Sequence, residues 1–303
     1  PDVIAKVKEA TEAIARGTGV RGLINIQFAY VSENLFVIEA NPRASRTVPF
    51  VSKATGVQLA KAAVMIGLGK SIAELKAEGY LPKNMDGASL PQNTAIAVKA
   101  AVLPFSRFRT PEGVVVDSLL SPEMRSTGEV MGLDTLYDTA FAKAQAGAGS
   151  PLPTEGKVFV SVANHDKRNV IIYAKMLEQL GFEIVSTGGT ADVLRRNGVN
   201  STVASKFAEA NGQHSIVDMV RNGEIDLILN TPAGGAARSD GYEIRAAAVS
   251  VGCPVMTTIS EFAAAVQAIT ALRERSWEII NLQEHGEFLR TACTGEPVSY
   301  THL

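Results

Sequence analysis

Beyond residue 157 the chain alternates between short apolar segments and stretches with helical spacing. The apolar segments are Lys157–Val162, Glu183–Ser186, Asp226–Asn230 and Pro254–Met256. The helical stretches are Lys167–Leu180, Thr190–Arg196, Ser215–Asn222, Tyr242–Val251 and Ser260–Glu274. Because a strand that is apolar on both faces is buried on both faces, this alternation predicts a Rossmann-like parallel sheet covered by helices on each side.

The residue pattern of the first half of the chain predicts an antiparallel sheet with helices. Helices are expected at residues 3–16, Gly56–Leu68 and Thr135–Ala146, and strands at Leu23–Tyr30, Ala95–Leu103 and Gly113–Leu120. Ser126 and Glu129 have the spacing of a capping box, which predicts a turn or helix there. The linker-like residues 146–154 divide the chain. We therefore expect two domains, residues 1–150 and 155–293, followed by a tail of residues 294–303.

Composition narrows the class of protein. The chain has 303 residues, 46% of them hydrophobic and 20% charged, with a net charge of −2. That balance favours two folded domains and argues against nucleic acid or an anionic membrane as the main partner. Cys253 and Cys293 are the only cysteines. They form neither a metal motif nor a disulfide framework, as is typical of the reducing cytoplasm.

A hairpin near the start of the chain carries a set of oxygen donors. If Ser32-Glu33-Asn34 form a three-residue loop, Val31 pairs with Leu35 and Gln27 lies opposite Glu39. Cross-strand neighbours are about 4.5–5.5 Å apart at Cβ, and Asn41 shares a face with Glu39. Amide and carboxylate oxygens are the ligands that Mg²⁺ prefers, usually completed by substrate phosphates.

Two arginines follow this hairpin at once. Arg43 and Arg46 carry planar guanidinium groups suited to phosphoryl oxygens. A solvated polar face is the alternative interpretation of the same pattern. It fits the composition less well, because Lys and Glu are the usual residues of such a face.

A second polar cluster is expected at the carboxyl ends of the parallel strands. Ser186-Thr187-Gly188-Gly189-Thr190 joins a strand to a helix, where backbone N–H groups favour an anion. Lys167, Lys206 and Asn230 follow other strands, at the edge where open parallel sheets bind ligands. The set suits a nucleoside monophosphate. It lacks a base–nucleophile pair, so binding is favoured over catalysis, and a simple tight connection is the alternative.

The run from Glu39 to Gly56 resembles the metal and nucleotide end of an ATP-grasp domain, that of the second ATP-grasp unit of the carbamoyl-phosphate synthase large subunit family. Residues Pro122–Gly132, and those from Lys157 to about Gln283, resemble the same family. The resemblance implies ATP-dependent phosphorylation of carbamate, with Mg²⁺ or Mn²⁺ held by Gln27, Glu39 and Asn41. Gln27 and Glu39 then bind the ATP phosphates through the metal, and Arg43 and Arg46 are catalytic.

In the same family the last domain is methylglyoxal-synthase-like and allosteric. The resemblance implies that UMP or IMP binds there, and the catalytic aspartates of true methylglyoxal synthases have no counterpart. The implied nucleotide-binding residues are Ser161, Lys167, Thr187, Gly189, Thr190, Lys206 and Asn230.

The chain departs from some relatives at effector positions. Ala208 replaces a histidine and Pro232 replaces a threonine. Ala100 replaces a glutamate, and Val255-Met256-Thr257 replaces a Tyr-Asp-Thr run, both of which serve relatives that ornithine activates. We therefore expect nucleotide control with little or no response to ornithine.

The resemblance also implies the context of the chain. We expect the C-terminal portion of a longer cytoplasmic chain, inactive alone, that works with a small glutaminase subunit as a homo-oligomer in pyrimidine and arginine biosynthesis. The last residues, Pro297–Leu303, resemble nothing in the family. Two alternatives remain open: a nucleotide-sensing module without catalysis, and another ATP-grasp ligase.

Overall fold

A computed structural model describes residues 2–83, 95–103, 126–205, 215–231 and 237–285, with the side chains of 237–240 excepted. Contacts between Cα atoms divide the chain into two compact units, Pro1–Ile96 with Glu278–Leu303, and Ala97–Trp277. The predicted boundary near residue 150 falls inside the second unit. The assignment of residues 1–150 and 155–293 to separate domains therefore stays a prediction.

In its described residues up to position 83, the first unit contains a helix, a hairpin and three further helices. They are α1 (Asp2–Thr18), β1 (Asn25–Val31), β2 (Asn34–Asn41), α2 (Thr47–Thr55), α3 (Leu59–Gly67) and α4 (Ile72–Ala77). The predicted single helix over Gly56–Leu68 is wrong at its start. Gly56 adopts a left-handed conformation that ends α2, and α3 begins only at Leu59. Helices α2 and α4 were not predicted.

The hairpin turn is tighter than predicted. Val31 pairs with Asn34, so the loop has two residues, Ser32 and Glu33, both with positive φ. That geometry matches the right-handed twist of the strands. A bulge at Ile38 then shifts the register, and Gln27 pairs with Glu39 as predicted. The predicted Val31–Leu35 pair is wrong, because Val31 pairs with Asn34. The Gln27–Glu39 pair is still correct, because the loop is one residue shorter than predicted and the bulge adds one residue to β2.

The next elements in the chain are a two-stranded antiparallel sheet, β3 (Ile96–Ala101) and β4 (Glu129–Asp134), and then α5 (Tyr137–Gly147). Apart from Ile96, they belong to the second unit. The predicted capping box is wrong, because Glu129 begins a strand. The Ser126 hydroxyl donates instead to the Val102 carbonyl at 2.7 Å and accepts from the Gly128 N–H at 3.0 Å. The strand predicted at Gly113–Leu120 lies outside the described residues.

A five-stranded parallel sheet forms the centre of the second unit, as the alternating pattern predicts. Its strands are β5 (Lys157–Ser161), β6 (Glu183–Ser186), β7 (Thr202–Val203), β8 (Leu227–Asn230) and β9 (Val255–Met256). The strand order is β7-β6-β5-β8-β9. Strand β7 was not predicted, since two exposed residues leave no apolar run.

Helices cover both faces of this sheet. They are α6 (Lys167–Gln179), α7 (Gly188–Arg196), α8 (Ile216–Arg221), α9 (Ala237–Val251) and α10 (Ile259–Glu274). Val158, Val160 and Leu229 are buried with residues of α6 and α10. Phe159, Val185 and Ile228 are buried with residues of α8 and α9. The predicted α/β class is therefore confirmed. No helix of the described segments is both long and apolar enough to cross a membrane.

Strand β4 and helix α5 approach each other closely at Gly132. A Cβ on Gly132 would lie 1.9 Å from the Ala140 carbonyl oxygen and 2.5 Å from the Ala144 nitrogen. Both contacts are with backbone, which cannot rotate away. The absence of a side chain at position 132 is thus what lets the helix lie against the strand.

We expect Gly132→Ala to destabilise the second unit by about 2 kcal/mol or more, because the added methyl group must push α5 away from β4. Urea unfolding of the chain measures the effect. Gly147→Ala is the matched control at the end of the same helix, since its Cβ would make only ordinary contacts, 3.5–3.8 Å from Val130. Equal midpoints for the two variants would contradict the close approach.

Candidate functional sites

The polar cluster of the hairpin lies where β1 and β2 are paired beyond the bulge. Gln27 is directly opposite Glu39, and both side chains are exposed. Asn41 pairs with Asn25 and is half-buried. The alternation that the sequence predicts therefore holds on this side of the bulge, and the two predicted cross-strand partners lie side by side.

Glu39 and Asn41 are also in direct contact. The Asn41 Nδ2 group donates to Glu39 Oε1 at 3.0 Å. This bond fixes the amide so that its oxygen, Oδ1, is available to another group. The second carboxylate oxygen of Glu39 is likewise unused by this bond.

The oxygen donors of the hairpin are of the kind that a hard cation binds. One carboxylate and two amide oxygens come from neighbouring positions of two strands, and such ions are bound through few protein oxygens plus substrate phosphates. Among the described residues no group of three or more His, Cys, Asp or Glu could hold a metal ion. A metal at this position must therefore be bound by the one carboxylate and the two amide oxygens, together with oxygens of a substrate phosphate.

The two predicted arginines lie in the segment that leaves β2. The Arg43 N–H donates to the Asn41 carbonyl at 2.8 Å, and its Nη1 donates to the Ala44 carbonyl at 3.0 Å. Arg46 immediately precedes α2 and has helical backbone angles. Both side chains are exposed. Most guanidinium donors of Arg43 are therefore left for an external anion.

The second cluster lies at the carboxyl ends of β5, β6 and β8, where the strand order reverses. Ser161 pairs with Asn230 in the ladder between β5 and β8. Thr187 follows the last residue of β6 and precedes α7. The parallel sheet thus collects residues 26 to 69 positions apart at one edge, the usual ligand-binding edge of such sheets.

Three hydroxyl groups of this edge form a connected set. Ser161 Oγ is 3.3 Å from Thr187 Oγ1, and Thr187 donates to Thr190 Oγ1 at 3.4 Å. Thr190 is buried and also accepts from the Val162 N–H at 3.4 Å. A neighbouring hydroxyl, Thr231 Oγ1, which follows Asn230 at the end of the same strand, accepts from the Ala163 N–H at 2.8 Å.

Lys167 places a positive charge at the start of α7. A Cβ on Gly189 would lie 3.1 Å from Lys167 Nζ, so the ammonium group lies against this glycine. Gly188 and Gly189 are both exposed. Unsatisfied N–H groups at a helix start carry partial positive charge, and the ammonium adds a full one. Gly188 and Gly189, the glycine turn, therefore form with Lys167 a compact surface whose charge suits an anion.

Arg245 is a further cation at the other end of the same edge. Its Nη1 donates to Asn230 Oδ1 at 3.0 Å. Burial lowers the pKa of the Arg245 guanidinium below its usual value. No sequence pattern identifies this residue, because its contact arises only when α9 packs against β8. Gly241 makes room for the pair, since a Cβ there would lie 2.5 Å from Arg245 Nη1 and 2.8 Å from Asn230 Oδ1.

Several predicted positions do not add to these sites. Lys206, Ala208 and Pro232 lie outside the described residues. Met256 is buried in the core, whereas Thr257 is exposed.

Cys253 is not a reactive group. Burial raises the pKa of its thiol to about 12, so this cysteine remains an uncharged thiol at neutral pH.

Two family models match the chain. Residues 2–75 match the carbamoyl-phosphate synthase L chain ATP binding domain, and residues 169–257 match the MGS-like domain. The chain is also 66% identical over 298 residues to the carbamoyl phosphate synthase large chain of Kocuria rhizophila, covering 98% of this chain and 27% of that protein.

The corresponding protein of Micrococcus luteus is 63% identical over 97% of this chain and 27% of its own length. That of Streptomyces coelicolor is 56% identical over 95% and 26%. Nearly the whole chain is thus similar to carbamoyl phosphate synthase large chains. It spans about a quarter of the length of the curated relatives it matches.

The matched regions contain most of the candidate residues. The ATP-binding match includes Gln27, Glu39 and Asn41 with both arginines. The MGS-like match includes the glycine turn, Asn230 and Arg245, whereas Ser161 and Lys167 precede it. The family resemblance expected from the sequence is therefore confirmed for the chain as a whole, while the roles of the individual residues stay predictions.

Proposed function

We propose that this chain serves, within a complete large chain, in the ATP-dependent phosphorylation of carbamate to carbamoyl phosphate. The pairing of Gln27 with Glu39, with Asn41 bonded to Glu39, is the observation that carries the proposal. In this proposal the ammonia comes from a small glutaminase partner, the complete chains associate with one another, and the enzyme acts in the cytoplasm for pyrimidine and arginine biosynthesis.

The hairpin residues and the two arginines that follow them have different roles in phosphoryl transfer. Gln27, Glu39 and Asn41 hold Mg²⁺ or Mn²⁺, which neutralises the phosphate oxygens of ATP when bound. Arg43 and Arg46 orient the carbamate and stabilise the charge on the transferred phosphoryl group. Phosphoryl transfer depends mainly on such positioning and charge stabilisation, and this cluster contains groups for both.

We expect Glu39→Gln in the complete large chain to lower carbamate-dependent ATP turnover by about a hundredfold or more, because a lost metal carboxylate removes several kcal/mol of stabilisation from the transition state. Steady-state assay of carbamoyl phosphate formation measures the effect. Higher concentrations of Mn²⁺ should restore part of the activity if the defect lies in metal binding.

Glu33→Gln is the matched control, because Glu33 lies in the exposed turn of the same hairpin. It should leave turnover unchanged. If Glu39→Gln retained ordinary turnover, or if the two variants lost equal activity, the metal role of Glu39 would be wrong.

The second unit is, in the same proposal, a sensor for UMP or IMP. The phosphate of the nucleotide lies against Lys167 and the glycine turn before α7. Ser161, Thr187 and Thr190 supply hydroxyl groups, and Lys206, which lies outside the described residues, stays a predicted nucleotide-binding residue. Lys167 has no ion-pair partner within the described part of the chain, which leaves its charge for a ligand.

We expect Lys167→Met in the complete large chain to weaken UMP binding about ten- to a hundredfold, since a charge-assisted hydrogen bond to phosphate is lost. Calorimetric titration measures the dissociation constant. Lys157→Met is the control, because Lys157 begins the same strand β5 at the opposite edge of the sheet and pairs with Glu183. Equal affinity in Lys167→Met and the unaltered enzyme would place the phosphate elsewhere.

We expect ornithine to activate the complete enzyme little or not at all at cytosolic concentrations. Neither Ala100 nor the buried Met256 carries a charge that could bind an ammonium group. The measurement is the rate of carbamoyl phosphate formation with and without ornithine. Strong activation would show that other residues bind this effector.

A further inference from the structure

Arg245 determines which way the amide of Asn230 faces. A guanidinium group has donors only, so the amide atom that it contacts must be the oxygen. Arg245 Nη1 lies 3.0 Å from Asn230 Oδ1. The Asn230 side chain is largely buried, with 7% of its surface exposed. Its NH₂ group is therefore held away from Arg245.

The position of Asn230 relative to the glycine turn sets which part of a ligand it meets. Thr187 follows β6, Ser161 ends β5 and Asn230 ends β8, and these strands are consecutive neighbours. Two strand spacings amount to about 10 Å. If the phosphate lies at the turn before α7, Asn230 lies roughly one mononucleotide length away, at the base rather than at the phosphate.

We infer that Arg245 is a positioning residue that makes this end of the site select bases with an oxo group over bases with an amino group. The inference rests on the proposed nucleotide site. With its oxygen engaged by Arg245, Asn230 donates to the carbonyl of uracil or hypoxanthine. The amino group of cytosine or adenine would set one N–H donor against another and leave both unsatisfied, which is costly in a buried place.

Space for this arrangement comes from Gly241 on α9. Its missing side chain lets the guanidinium reach Asn230. Within the described part of the chain no carboxylate lies at ion-pair distance from Arg245, so the amide is its one side-chain hydrogen-bond partner there. Without Arg245 the amide could rotate by half a turn and present either its oxygen or its NH₂ group.

The test uses the complete large chain and calorimetric titration with UMP, CMP, IMP and AMP. The unaltered protein should bind UMP over CMP, and IMP over AMP, by about tenfold or more. Arg245→Met should reduce both ratios towards one, because the amide becomes free to rotate. Arg245→Lys should keep most of the preference, since an ammonium also bonds only to the oxygen. Arg196→Met, at the exposed far end of α7, is the control and should change nothing.

Asn230→Asp gives an independent measurement if Arg245→Met does not fold. A carboxylate accepts hydrogen bonds, so the ratio of UMP to CMP affinity should fall below one while affinity for both nucleotides declines. Unchanged base preference in both the Arg245→Met and Asn230→Asp variants, with UMP still bound, would overturn the inference and leave the proposed sensor intact. Absence of nucleotide binding by the unaltered protein would overturn both.

Discussion

The pairing of β5 with strands on both sides holds the second unit together. β5 lies in register with β6 on one side and with β8 on the other. Its buried residues Val158 and Val160 pack on one face, and Phe159 packs on the opposite face. Because the strand order reverses here, loops from distant parts of the chain meet at one edge. The polar groups of the candidate nucleotide site are brought together by this one arrangement.

The sequence predicted the elements better than their boundaries, and local contacts better than distant ones. Apolar runs identify the strands of a buried parallel sheet. Of the five strands only β7, which has two exposed residues, was not predicted. The pairing of Gln27 with Glu39 was predicted correctly from a wrong loop, because the shorter turn and the bulge at Ile38 cancel. Such compensation cannot be read from residue types.

Tertiary partners account for the remaining errors. The spacing of Ser126 and Glu129 matches a helix cap, yet the serine hydroxyl bonds to a carbonyl 24 positions away in sequence. Arg245 has no local pattern at all, and its partner Asn230 lies 15 positions earlier. A pattern of residue types identifies the groups that are suited to a chemistry. Which neighbour each group finds depends on how the helices pack.

The hairpin keeps its least favourable backbone and its polar cluster at opposite ends. Ser32 and Glu33 both adopt left-handed angles without glycine, at a cost of about 1 kcal/mol or more each. The bulge at Ile38 lies between this turn and Glu39 and absorbs the register difference. Changes that relax the turn can therefore accumulate over evolution, or be introduced by design, without realigning Gln27 and Glu39.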